Sequence, residues 1–78
     1  MLDLYMLETC PFCKKVIKFL EENGIEYNKI DVSNSENHRR LLETGGKDQV
    51  PFISDEGTRL YESDDIINYL KNNRHIKK

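Results

Sequence analysis

Cys10-Pro11-Phe12-Cys13 is the stretch on which the reading of this 78-residue chain turns. It holds both cysteines, spaced C-x-x-C. It follows the apolar run at residues 2–7 and opens a segment with helical periodicity. Proline suits the first position of a helix, where its missing N–H costs nothing and its fixed φ is already helical. Cys10 is thereby expected at the helix N-terminus, where unpaired backbone N–H groups and the helix dipole favour negative charge. A thiolate is the nucleophilic form of cysteine, so Cys10 is the candidate nucleophile, with Cys13 one turn further in and able to close a disulfide onto it. Half of a zinc site, or two buried structural thiols, are the competing interpretations. Zinc needs two more ligands, and the histidines His38 and His75 form no ligand-spaced pair. Redox chemistry is the favoured reading.

Size and composition narrow the rest. A chain of this length buries only about 60% of its unfolded surface, so a single domain over residues 1–78 is expected. An apolar fraction of 37% beside 33% charged residues describes a globular chain, and a net charge of −2 gives no electrostatic reason for a nucleic-acid or membrane partner. The basic residues within 74–78 read as a solvated tail. Asp3 and Glu8 stand where a secretory leader would be basic, and the apolar run is far too short to cross a membrane. Two cysteines make no disulfide framework, which points to a reducing, cytoplasmic setting where C-x-x-C is catalytic.

Outward from the cysteine pair, residues 2–7 read as a buried first strand. Residues 11–23 read as a helix, with Phe12, Val16, Phe19 and Leu20 on one face and Lys14, Lys15 and Lys18 among the polar positions. Gly24 marks its left-handed stop. Residues 25–32, rich in strand formers, give a second strand, and strand–helix–strand over about thirty residues is a right-handed parallel unit. Ser33-Asn34-Ser35-Glu36 has capping-box spacing and starts a second helix. That helix is anchored by Leu41 and Leu42 and ended by Gly45-Gly46, with His38 a surface residue. Residues 49–53 lead into a third strand, Asp55-Glu56-Gly57 turns the chain, and residues 58–61 pair back as a fourth. Ser63 is the expected cap of the last helix, with Asp64 and Asp65 in its first turn and Ile66, Ile67, Tyr69 and Leu70 as its apolar stripe. The order is βαβ, then a helix, then ββα. The fold class is α/β, a thioredoxin-like arrangement with helices on both faces of one mixed sheet.

With Cys-Pro-Phe-Cys at a strand-to-helix junction, Val50-Pro51 about forty residues later and Ser63-Asp64-Asp65-Ile66 opening the last helix, the chain resembles a glutaredoxin over residues 1–73. The resemblance implies a four-stranded sheet in the order 2-1-3-4 with three flanking helices. It implies a cis bond before Pro51, with the exposed backbone of Val50 pairing with glutathione as an added strand. It also implies that Phe12 borders the glutathione site, and that Ser63 and Asp64 hold the γ-glutamyl end through amides and an acidic side chain.

The chain departs from the family pattern at three places. Leu7 stands where a basic residue is usual, Phe12 replaces the commoner tyrosine, and Tyr61-Glu62 replaces a Gly-Gly pair. Glu62-Ser63 followed by Ile66 is similar to the glutathione-binding turn of glutathione transferase N-terminal domains, which adds Glu62 to the binding candidates. To meet the glycyl carboxylate in place of Leu7, Arg40 is the preferred cation, ahead of Lys47 and Arg39.

The activity so implied is a glutathione-dependent thiol–disulfide oxidoreductase. Cys10 attacks a protein disulfide or a protein–glutathione mixed disulfide, Cys13 resolves it, and glutathione is the co-substrate. No metal and no tightly bound cofactor is expected. Glutathione and disulfide-bearing or glutathionylated proteins are the expected partners of a monomer. Two alternatives stand beside it: a thiol electron donor fed by a thioredoxin-type reductase, and a glutathione-binding iron–sulfur scaffold.

Overall fold

The computed structural model describes residues 2–73; the basic stretch 74–78, with His75, lies outside the described residues. Seven elements follow in order: β1 (Asp3–Met6), α1 (Pro11–Glu22), β2 (Asn28–Asp31), α2 (Ser35–Gly45), β3 (Phe52–Asp55), β4 (Thr58–Tyr61) and α3 (Ser63–Asn73). The sheet runs β2-β1-β3-β4, the 2-1-3-4 order expected from the sequence. β1 pairs parallel with β2 (Tyr5 opposite Ile30) and antiparallel with β3 (Leu4 opposite Ile53), and β3 pairs antiparallel with β4.

Side-chain alternation along β1 splits the core between the two faces. Leu4 and Met6 join Cys13, Val16, Leu20, Ile53, Ile66 and Leu70 on the face covered by α1 and α3. Tyr5 turns the other way, to Ile30, Val32, Leu41 and Phe52 beneath α2. Burial on both faces is why residues 4–6 carry no charged side chain.

Local signals set most boundaries. Gly24 takes φ +66, and the Ile25 and Gly24 N–H groups return to the Leu20 and Glu21 carbonyls at 3.0 and 3.3 Å, closing α1 with a Schellman motif. Ile25 packs in the same cluster as Leu20, so the residue expected to begin the second strand instead seals the helix, and β2 starts three positions later. In the β3–β4 turn both central residues, Glu56 and Gly57, have positive φ, as a two-residue hairpin of I′ type requires.

Three expectations are corrected. The cap of α2 is Asn34, whose side chain accepts from the N–H groups of Glu36 (2.9 Å) and Asn37 (3.2 Å). Ser33 turns instead to Asp31, whose carboxylate accepts its N–H at 2.9 Å and also meets its hydroxyl, contacts that hold Asp31 below its ordinary value. Leu42 is 39% exposed, leaving Leu41 as the buried anchor of α2. Ser63 is the first helical residue of α3 rather than its cap; Glu62, at φ +71, precedes it and accepts the Ile66 N–H on its carbonyl at 3.0 Å.

Candidate active site

The β1–α1 junction places the cysteines. Cys10 is the N-cap of α1 in extended conformation (φ −83°, ψ 115°), Pro11 follows as the first helical residue, and the first turn contains no acid. A tight turn precedes it, with the Cys10 N–H donating to the Leu7 carbonyl at 3.1 Å. The Cys10 sulfur accepts the Cys13 N–H at 3.3 Å, so one of the free amides at this helix end is aimed at the thiol. Cys10 is half-buried and both thiols are unpaired by any disulfide. Cys13, in contrast, has no exposed surface. Burial pushes its thiol up to about 12, and the neighbouring Cys10 adds to this through a hydrogen bond and its charge, against a lowering contact from the Leu7 backbone.

Beside the pair lies a pocket of about 330 Å³ lined by Phe12, Gln49, Val50, Pro51, Glu62, Ser63 and Asp64. Three separate segments meet there. Phe12 comes from the first turn of α1 with its ring 61% exposed, an uncommon state for so large an apolar side chain. Val50 and Pro51 lead into β3 through a cis peptide. Glu62, Ser63 and Asp64 form the β4–α3 turn, with Ser63 buried and Asp64 exposed.

Thus six of the candidates named from the sequence, Phe12, Val50, Pro51, Glu62, Ser63 and Asp64, share one pocket; neither cysteine lines it, and Phe12, between the two in sequence, connects it to them. Arg40 does not line it. It is exposed on α2, as is Arg39, which lies 3.9 Å from Glu43. Lys47 sits over the Tyr61 ring, 5.5 Å from its centroid.

Two contacts went unseen in the sequence. Gln49 lines the pocket and donates from Nε2 to Glu62 Oε2 at 3.0 Å, tying the loop before β3 to the turn before α3. Lys15 Nζ meets Asp64 Oδ1 at 2.6 Å, joining α1 to α3 at the pocket edge. Neither residue belongs to a motif, and only the topology brings these partners together. His38 bonds through Nε2 to Asp48 at 2.9 Å on the surface, in keeping with its reading as a surface residue. Among the described residues no group of three or more His, Cys, Asp or Glu side chains is gathered as a metal site, and no helix is long and apolar enough to cross a membrane.

Comparison with known proteins agrees with this geometry. Residues 4–76 match the family described as glutathione S-transferase, N-terminal domain. Glutaredoxin 1 of Rickettsia prowazekii is 32% identical over 74 residues, covering 91% of this chain and 78% of that protein. Among solved structures, glutathione transferase Omega 3C from Trametes versicolor superposes with a TM-score of 0.82 at 30% identity, over 91% of this chain and 32% of that one. The buckwheat glutaredoxin–glutathione complex shares the fold, with a TM-score of 0.73 at 20% identity over 91% of this chain and 68% of the buckwheat chain. A match across almost the whole length, joined to glutaredoxin relatives that span the same elements, shows that the chain belongs to the glutathione S-transferase N-terminal domain family, as a glutaredoxin-like member with the thioredoxin-like fold.

Proposed function

We propose that this protein is a dithiol glutaredoxin, a glutathione-dependent oxidoreductase that reduces protein disulfides and protein–glutathione mixed disulfides. The observation that carries the reading is the inequality of the two cysteines: Cys10 caps a helix with an amide on its sulfur, while Cys13 is shut into the core with its thiol pushed up to about 12. One sulfur is presented to a substrate and the other is held back as a protonated resolver.

The chemistry follows from that inequality. The Cys10 thiolate attacks a substrate disulfide; its S–S bond breaks, a new one forms to Cys10, and the departing sulfur takes up a proton. Once Cys10 is in the mixed disulfide its charge is gone, and with it two of the causes that hold Cys13 protonated. Cys13 then loses its proton and attacks the Cys10 sulfur, expelling the second product thiol. Two electrons have passed from the dithiol to the substrate. Two glutathione molecules restore the dithiol and leave as glutathione disulfide. In this scheme glutathione lies in the pocket, its backbone along Val50 beside Pro51, its apolar part on Phe12, and its γ-glutamyl end at Glu62, Ser63 and Asp64.

The test is reduction of a disulfide substrate coupled to glutathione and glutathione reductase. Cys10→Ser is expected to abolish turnover. Cys13→Ser is expected to keep removal of glutathione from mixed disulfides, which needs one sulfur only, and to lose reduction of protein disulfides. Equal loss of mixed-disulfide activity in both variants refutes the division of roles.

A second reading, a thiol donor re-reduced by a thioredoxin-type reductase, is favoured by one observation. Leu7, where a cation is usual, is a partly buried aliphatic packed against the Tyr5–Phe52 cluster. Reduction of the oxidised protein by NADPH and such a reductase, with none by glutathione, selects it.

A further inference from the structure

Residues 47–49, the loop that leads into Val50-Pro51, are each fastened to a different partner. Tyr61 holds Lys47, His38 meets Asp48 at 2.9 Å, and Glu62 accepts from Gln49 at 3.0 Å. These fastenings are unequal. The His38–Asp48 and Gln49–Glu62 contacts join side chain to side chain, so they restrain the main chain only through rotatable bonds. Exposed pairs of that kind hold weakly. Tyr61 grips the main chain itself. Its hydroxyl accepts the Lys47 N–H and donates to the Lys47 carbonyl, each at 3.1 Å, which engages both backbone groups of one loop residue. The Lys47 ammonium lies 5.5 Å from the centroid of the same ring. Gly45 keeps open the space that the hydroxyl occupies, because a Cβ there would run into it.

Tyr61 also reaches the chain beyond Pro51. It is the strand partner of Phe52, and the two rings pack at 4.5 Å between centroids. One side chain therefore holds the main path at residue 47 and again at residue 52, and Val50-Pro51 is strung between those two points. Gln49, Val50 and Pro51 line the pocket, whereas Tyr61 does not. Its influence on a ligand has to pass through them.

We propose that Tyr61 is a positioning residue for the Val50 backbone, keeping it in the place where the ligand's own backbone meets it; this rests on the glutathione reading above. A loop held in its binding conformation beforehand needs no ordering when the ligand arrives. A loop released from Tyr61 does need it, and the ordering cost appears as weaker binding. The thiol chemistry belongs to a different segment, the β1–α1 junction, where the Cys13 N–H supports the Cys10 sulfur. Tyr61 therefore governs how well glutathione docks and not how readily Cys10 reacts.

The test is Tyr61→Phe, which keeps the ring on Phe52 and loses both bonds to Lys47. The fully reduced protein is treated with glutathione disulfide and, separately, with iodoacetamide, which alkylates Cys10 without a peptide backbone to lay along Val50. With glutathione disulfide, Cys10 attacks one sulfur and releases one glutathione, and Cys13 then attacks the Cys10 sulfur and releases the second. The two electrons lost by the dithiol are those that reduce the disulfide. Tyr61→Phe is expected to slow this oxidation about threefold to tenfold, the scale of one or two hydrogen bonds, and to leave the alkylation rate unchanged. In turnover of a glutathionylated peptide the loss should fall on KM, with kcat unchanged. Tyr27→Phe, which removes a tyrosine hydroxyl bonded to Glu21 away from the pocket, should alter neither reaction. Equal slowing of oxidation and alkylation, a loss confined to kcat, or a Tyr61→Phe protein that matches the parent with glutathione disulfide overturns the positioning role. A parent protein that iodoacetamide alkylates at Cys10 and glutathione disulfide leaves untouched overturns the glutathione reading itself.

Discussion

The Cys13 backbone N–H points at the Cys10 sulfur across 3.3 Å, while the Cys13 side chain lies wholly inside the core among Leu4, Met6 and Val16. One residue thus supports its neighbour's charge through its amide and withholds its own thiol. The physical origin is helical geometry. Three positions after an N-cap, the amide faces back toward the cap, and the side chain at that position of α1 faces the sheet.

Selective alkylation follows. With its thiol pushed up to about 12, Cys13 has on the order of one molecule in 10^5 ionised at pH 7 and no exposed surface. Iodoacetamide added to the reduced native protein at pH 7 is expected to label Cys10 alone, with Cys13 labelled only after denaturation. Peptide mass mapping checks this, and comparable native labelling of both would contradict the assignment.

Stability should fall in alkaline solution through Cys13. Its folded-state value, about 12, stands above the 9.0 of an ordinary thiol, so the folded state binds the proton more tightly than the unfolded chain. The contribution is complete below pH 9 and is lost as pH rises toward 12. Urea unfolding of the reduced parent and of Cys13→Ser at a series of pH values is the measurement, and the slope between pH 9 and 11 should be steeper in the parent.

Asn34, not Ser33, should carry the cap of α2. Replacing an N-cap Asn by alanine costs about 0.5–2 kcal/mol. Asn34→Ala is expected to lose about 1 kcal/mol by chemical denaturation, whereas Ser33→Ala, which keeps the backbone bond to Asp31 and removes only an exposed hydroxyl contact to that carboxylate, should lose less, about 0.5 kcal/mol at most. The reverse ranking would restore the capping-box arrangement.

Tyr61 should be a clamp on the loop before β3. Its hydroxyl accepts the Lys47 N–H and donates to the Lys47 carbonyl, each at 3.1 Å, and its ring packs on Phe52 at 4.5 Å between centroids. Tyr61→Phe keeps the ring and loses both bonds, for an expected cost of about 1 kcal/mol and faster amide exchange at Lys47. Gly45 lies against the same hydroxyl, so a Cβ there runs into Tyr61 and crowds Phe52. Gly45→Ala should therefore destabilise by about 1–3 kcal/mol, against the small gain alanine gives in an open helix. Tyr61→Phe should relieve part of that penalty, and strict additivity in the double variant would refute the shared contact.

What the sequence determined by itself was everything set by neighbours a few positions apart. Pro11 after Cys10 starts a helix on the cysteine because proline's φ and missing N–H are local facts, and Gly24 ends it because the left-handed turn at φ +66 excludes a Cβ cheaply only there. The alternation of Leu4, Tyr5 and Met6 already divided the core between two faces, and β4 kept its expected bounds because a two-residue turn fixes register. Even local signals were ambiguous where they competed. Ser33 and Asn34 are both good caps, and in the fold Ser33 turns to the Asp31 carboxylate while Asn34 takes the helix amides. The polar contacts at and around the pocket were decided by tertiary structure alone. Gln49 with Glu62, Tyr61 with Lys47 and Lys15 with Asp64 are separated by 13, 14 and 49 positions. Their meeting depends on β3 lying beside β1 and on α3 returning to pack against α1. A hydrogen bond or ion pair depends on placement within a fraction of an ångström, and a composition or a spacing pattern fixes chain path only to the level of elements.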